Sequence, residues 1–74
     1  RINIPNEDPV FLTPRERDVL TLAAAGQSNE QIAQVLCIKL TTVKTHLTSI
    51  FRKLGVNSRG KAATRARLLG ILNN

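Results

Sequence analysis

The sequence predicts an all-α fold of four short helices packed as a helix-turn-helix bundle. Three observations point there. Apolar residues recur with helical spacing along the chain, with no period-2 alternation of the kind a strand shows. Serine, threonine, proline and glycine stand where helices start and stop. The chain has only 74 residues and one cysteine, so it holds a single small domain with no internal disulfide. A core this small is most easily made by helices packed on helices.

Residues 1–11 carry two prolines, two asparagines and two acids, and read as a linker or N-terminal arm ahead of a domain over 12–74. With Arg1 in place of methionine, the chain reads as a piece of a larger protein.

The first helix starts at Leu12-Thr13-Pro14-Arg15-Glu16. Thr13 and Glu16 are spaced for a capping box, and Pro14 falls at the first helical position, where its missing N–H costs nothing. Val19, Leu20, Leu22 and Ala23 form its apolar stripe, and Gly26 stops it in a left-handed cap. The second helix repeats the start signal with Ser28 and Gln31, and buries Ile32, Ala33, Val35 and Leu36. Cys37-Ile38-Lys39 is a tight connection, with Cys37 expected as a small buried apolar residue.

The third helix spans about 40–54 and ends at Gly55. At ~100° per residue, Leu40, Val43, Leu47, Ile50, Phe51 and Leu54 fall on one side, and Thr41, Thr45, Thr48 and Arg52 on the other, with Lys44 at the edge. Ser58 caps a fourth helix over about Arg59 to Leu69, whose core stripe is Ala62, Ala63, Ala66 and Leu69.

Charge narrows the function. Lys and Arg total 11 against 5 acids, a net of +6. All five acids lie in the first thirty residues, whereas residues 31–74 hold eight bases and no acid. One basic half beside a mixed half indicates a polyanionic partner. A short helix, a tight turn and a longer amphipathic helix are what major-groove recognition needs: the first braces the second, whose facing side chains must be modest in size. Thr41, Thr45 and Thr48 meet that demand, and Lys44 reaches a guanine edge or a phosphate. Arg52 is better placed for the phosphate backbone.

Leu12-Thr13-Pro14-Arg15-Glu16, Val19-Leu20, Gly26, Ser28-Asn29, Ile32-Ala33, Leu36, Thr42-Val43-Lys44, His46, Lys53-Leu54-Gly55-Val56, Ser58-Arg59 and Ala62 together resemble the LuxR-type (FixJ/NarL-type) DNA-binding domain of bacterial transcription regulators. The segment Ala66-Arg67-Leu68-Leu69-Gly70-Ile71-Leu72 further resembles the ATP-dependent, MalT-like branch. The resemblance implies a recognition helix around Lys44, with Lys44, Thr45 and Thr48, and Thr41 beside them, at base edges. It implies phosphate contacts from Asn29, Thr42 and Arg59, to which Arg52 and His46 are added from their place on the helix. It also implies a homodimer through the fourth helix. Leu68, Ile71 and Leu72 fall away from the core stripe: either the helix frays at Gly70 and they fold back onto the core, or they form an exposed patch that pairs with a second copy. Double-stranded DNA is the expected partner, RNA polymerase a further candidate, and the bacterial cytoplasm the expected place.

One residue departs from the family pattern. Lys39 stands where a serine or threonine usually caps the recognition helix, and lysine cannot cap. Thr41 would cap instead if the helix started later, and that would change which threonine faces the bases.

Other functions fit less well. A sigma-factor promoter-recognition domain shares the Leu-Thr-x-x-Glu start but not Thr42-Val43-Lys44-x-His46 or Lys53-Leu54-Gly55. A protein-binding helix would show apolar anchors on the outer face of the third helix. RNA binding lacks a stacking platform, since Phe11 and Phe51 are the only aromatics and Phe51 lies on the core side. No nucleophile–base set, paired carboxylates or phosphate-binding glycine loop indicates an enzyme. Cys37 and His46 alone cannot make a four-ligand zinc site, so neither metal nor cofactor is expected. No apolar run approaches the roughly 18 residues of a membrane span.

Overall fold

A computed structural model describes residues 10–72. Four helices follow in order: α1 (Pro14–Ala24), α2 (Asn29–Leu36), α3 (Leu40–Leu54) and α4 (Arg59–Leu68), with no strand among the described residues. The expected linker over 1–11 lies mostly outside the described residues. Of its last two residues, Val10 packs against the core and Phe11 is exposed.

Both capping boxes form. The Glu16 amide donates to the Thr13 hydroxyl at 3.1 Å, and the Thr13 amide to the Glu16 carboxylate at 2.9 Å. Ser28 and Gln31 do the same at 3.1 and 2.8 Å. Each box satisfies two amides that the first turn would otherwise leave unpaired. Gly26 ends the α1 turn at φ 90, in the left-handed region expected of it.

The turn between α2 and α3 differs from expectation. Cys37 adopts φ 56, ψ 45 and is exposed, not buried. Its amide donates to the Gln34 carbonyl at 3.3 Å, and the next amide, Ile38, to the Ala33 carbonyl at 3.0 Å. The left-handed residue turns the Cys37 side chain outward and directs Ile38 onto the core instead. Val35, expected on the buried side of α2, is 58 % exposed, because α2 covers the core with Ile32, Ala33 and Leu36 alone.

Helix α3 begins at Leu40. The Lys39 carbonyl accepts the first helical bond from the Val43 amide at 3.1 Å, and the Lys39 side chain makes no cap. Thr41 is therefore inside the helix, and the later start that would have made it the cap does not occur. Uncapped, α3 is held by packing: Val43, Leu47, Ile50 and Leu54 are buried against α1, α2 and α4. Truncating Leu47, Ile50 or Leu54 to alanine would cost about 2–5 kcal/mol.

Helix α4 meets α1 and α3 through Ala62, Ala63 and Ala66, whose small side chains let the backbones approach closely. It ends at Leu68, and Gly70 at φ 76 reverses the chain. The amides of Ile71 and Leu72 both donate to the Ala66 carbonyl, at 2.8 and 3.3 Å, and both side chains pack on the core. The expected apolar patch is thus corrected: Ile71 and Leu72 fold back, and Leu68 stays out at 80 % exposure. Leu69, expected in the core, is 48 % exposed, because the helix has already ended there.

Candidate nucleic-acid interface

The outer face of α3 carries Thr41, Lys44, Thr45, Thr48 and Arg52, all exposed. From Thr41 to Arg52 it runs about 16 Å along the axis. Its middle is small and polar, and its one early charge is Lys44. The Thr45 hydroxyl donates to the Thr41 carbonyl and the Thr48 hydroxyl to the Lys44 carbonyl, each at 3.0 Å. Thr42 and His46 lie on the flank, partly buried.

What orients this face is a polar cluster under its other side. Glu16, only 5 % exposed, accepts from Lys53 at 2.7 Å, from Ser49 at 2.6 Å and from the Thr13 amide at 2.9 Å. Burial alone would raise the carboxyl pKa. The hydrogen bonds from Lys53, Ser49 and Thr13, with the Lys53 charge, outweigh it and lower the pKa to about 2. The sequence marks Glu16 as a cap residue. Nothing in it marks Ser49.

Asn29 and Arg59, both expected at phosphates, are bonded to each other. The Arg59 guanidinium donates to the Asn29 side-chain oxygen and, at 2.7 Å, to the Gln27 carbonyl. Both groups are partly buried. Arg59 thereby ties the start of α4 to the start of α2.

The other cations of α3 and α4 form an open field. Lys44, Arg52, Lys61, Arg65 and Arg67 are exposed on α3 and α4, and neither helix contains an acid. The exposed acid Asp18 sits 3.6 Å from Arg15 on α1. A shallow, largely apolar groove runs along α4, lined by Val56, Gly60, Lys61, Thr64, Arg65 and Leu68. Among the described residues no three His, Cys, Asp or Glu side chains come together as a metal site. No helix among them is long and apolar enough to cross a membrane.

Residues 10–66 match the family model for bacterial regulatory proteins of the luxR family. The chain belongs to that family. In the luxR family this fold is the helix-turn-helix DNA-binding domain, with α2 and α3 as the motif. The transcriptional regulatory protein LiaR of Bacillus subtilis is 41 % identical over 70 residues, which cover 95 % of this chain and 32 % of LiaR. Two solved luxR-type structures superpose well. The response regulator ChrA of a heme-sensing two-component system gives a TM-score of 0.81 at 44 % identity, covering 84 % of this chain and 31 % of ChrA. The transcription factor GerE gives 0.78 at 35 % identity, covering 84 % of this chain and 92 % of GerE. The chain thus spans about a third of LiaR and of ChrA but corresponds to nearly all of GerE.

Proposed function

We propose that this domain is the output module of a bacterial transcription regulator, laying α3 in the major groove of a specific duplex sequence. The observation that carries the reading is the outer face of α3: exposed, small, polar, and flanked by unopposed cations. On this reading Lys44, Thr45, Thr48 and Thr41 face base edges. Arg52, Thr42 and His46 face the phosphates on either side. Lys61, Arg65 and Arg67 add long-range attraction.

Asn29 and Arg59 act in this scheme by positioning. Their mutual bond holds the first helix of the motif against α4. The groove on α4, with Leu68 at its end, is the surface by which a second copy would bind, so that two half-sites are read together. The domain works by binding, without turnover, in the cytoplasm.

The experiment is selection of bound sequences from random duplex DNA, with affinity measured at two salt concentrations. If one copy neutralises about five phosphates, log K falls with a slope of about −4.5 against log salt. That is roughly 500-fold weaker binding at 200 mM than at 50 mM. An enriched motif with that slope is expected. A slope near −1 with no motif would overturn the reading.

A further inference from the structure

We propose that Thr45 and Thr48 read base pairs as hydrogen-bond acceptors and methyl contacts, and so select A·T pairs over guanine, while Lys44 supplies the guanine contact. The inference rests on α3 lying in the major groove.

A threonine hydroxyl has one hydrogen and two lone pairs. In Thr45 and Thr48 that hydrogen is already given to the helix's own backbone, at 3.0 Å to the carbonyls of Thr41 and Lys44. This bond also selects the side-chain rotamer, as it commonly does for threonine in helices. What each side chain offers outward is a pair of lone pairs and a methyl group. The two residues are exposed and three apart, so they share a face and sit about 4.5 Å apart along the axis. That spacing suits neighbouring base pairs.

The base edges then sort themselves. An A·T pair presents the adenine amino group, which donates, and the thymine methyl. Guanine presents N7 and O6, both acceptors, which would meet acceptors and gain nothing. Cytosine's amino group is the one feature of a G·C pair that suits these threonines. Lys44 has the opposite character, with three donors and no acceptor, and matches guanine. Donor and acceptor roles on α3 are thus divided between Lys44 and the two threonines.

The test combines variants with base analogues. Duplex selection is run on the wild-type chain, on Thr45→Val and Thr45→Ser, and on the same two changes at Thr48. Valine keeps the shape and removes the hydroxyl; serine keeps the hydroxyl and removes the methyl. The positions whose preference changes are those each threonine reads, and they are expected to enrich A·T in the wild type. In the enriched duplex, replacing that thymine by uracil should weaken wild-type binding about 4-fold, the worth of one methyl. Replacing that adenine by a purine lacking the amino group should weaken it about 5-fold.

The serine variant should be indifferent to uracil, and the valine variant to the missing amino group. The analogue arm uses the wild-type chain alone, so it stands even if a variant fails to fold. Guanine enriched at these positions and lost in the valine variant would overturn the proposal, because the hydroxyl would then be a donor. A clear motif that none of the four variants alters would also overturn it while leaving the groove reading intact. Salt-dependent binding with no motif at all would overturn both.

Discussion

The Lys53 ammonium lies 2.7 Å from the Glu16 carboxylate, joining the first turn of α1 to the last turn of α3. Ser49, one turn earlier on α3, donates to the other carboxylate oxygen. Two bonds from one helix to one buried group fix both the position and the rotation of α3 about its axis. That rotation decides which residues face outward, so a cluster remote from the outer face sets its composition.

This cluster makes stability depend on pH. Glu16 has its pKa lowered from 4.5 to about 2 in the folded state. Its contribution is therefore fully present above about pH 4.5 and is lost as pH falls toward 2. The shift corresponds to roughly 3 kcal/mol. Glu16→Gln should cost that amount at pH 7 and almost nothing at pH 2. Urea melts of both proteins across this range check it, and equal differences at both ends would remove Glu16 as the cause.

Arg59 and Arg52 should separate cleanly. Arg59→Ala breaks the bonds to Gln27 and Asn29 and should lower stability by about 2 kcal/mol, with the salt slope of DNA binding unchanged. Arg52→Ala should leave stability within about 0.5 kcal/mol and reduce the slope by about 0.9. A reduced slope in the Arg59 variant would return that residue to the phosphates.

Leu68 tests the second copy. At 80 % exposure, Leu68→Gln should change the stability of the single domain by no more than about 0.5 kcal/mol. Binding to a duplex with two half-sites should weaken about tenfold, while binding to one half-site stays the same. Equal affinities of the variant and wild type for the paired site would place the dimer contact elsewhere.

Lys39 leaves α3 without a side-chain cap although its backbone is already in the extended geometry a cap requires. Lys39→Ser should therefore stabilise the fold by about 1 kcal/mol and raise Tm by about 4–8 °C. Thermal melts read this directly. No gain would mean that the first-turn amides already have partners.

Much of this was legible in the chain. Thr13 with Glu16 and Ser28 with Gln31 are capping pairs three residues apart, and local spacing is enough to see them. The two faces of α3 follow from helical periodicity: the structure buries Val43, Leu47, Ile50 and Leu54, half-buries Leu40 and Phe51, and exposes Thr41, Lys44, Thr45, Thr48 and Arg52. The left-handed turn at Cys37 carried no such mark, because glycine usually fills that conformation. For Ile71 and Leu72 the sequence fits a fold-back and an exposed patch equally. The Ala66 carbonyl, which accepts from both amides once Gly70 reverses the chain, decides between them, and a wheel does not contain that.

The sequence by itself determined where α1 and α2 begin and where α3 ends, which side of α3 is apolar, and that the second half of the chain is basic. These depend on neighbours within one turn. Only the tertiary structure decided which polar groups remain for a partner. Arg59 and Lys53 count equally with Arg52 in the net charge, yet both are engaged across thirty or more residues of chain, and Arg52 stands exposed. The physical reason is that a buried carboxylate or amide must find its donors wherever packing brings them, and packing is not a local property.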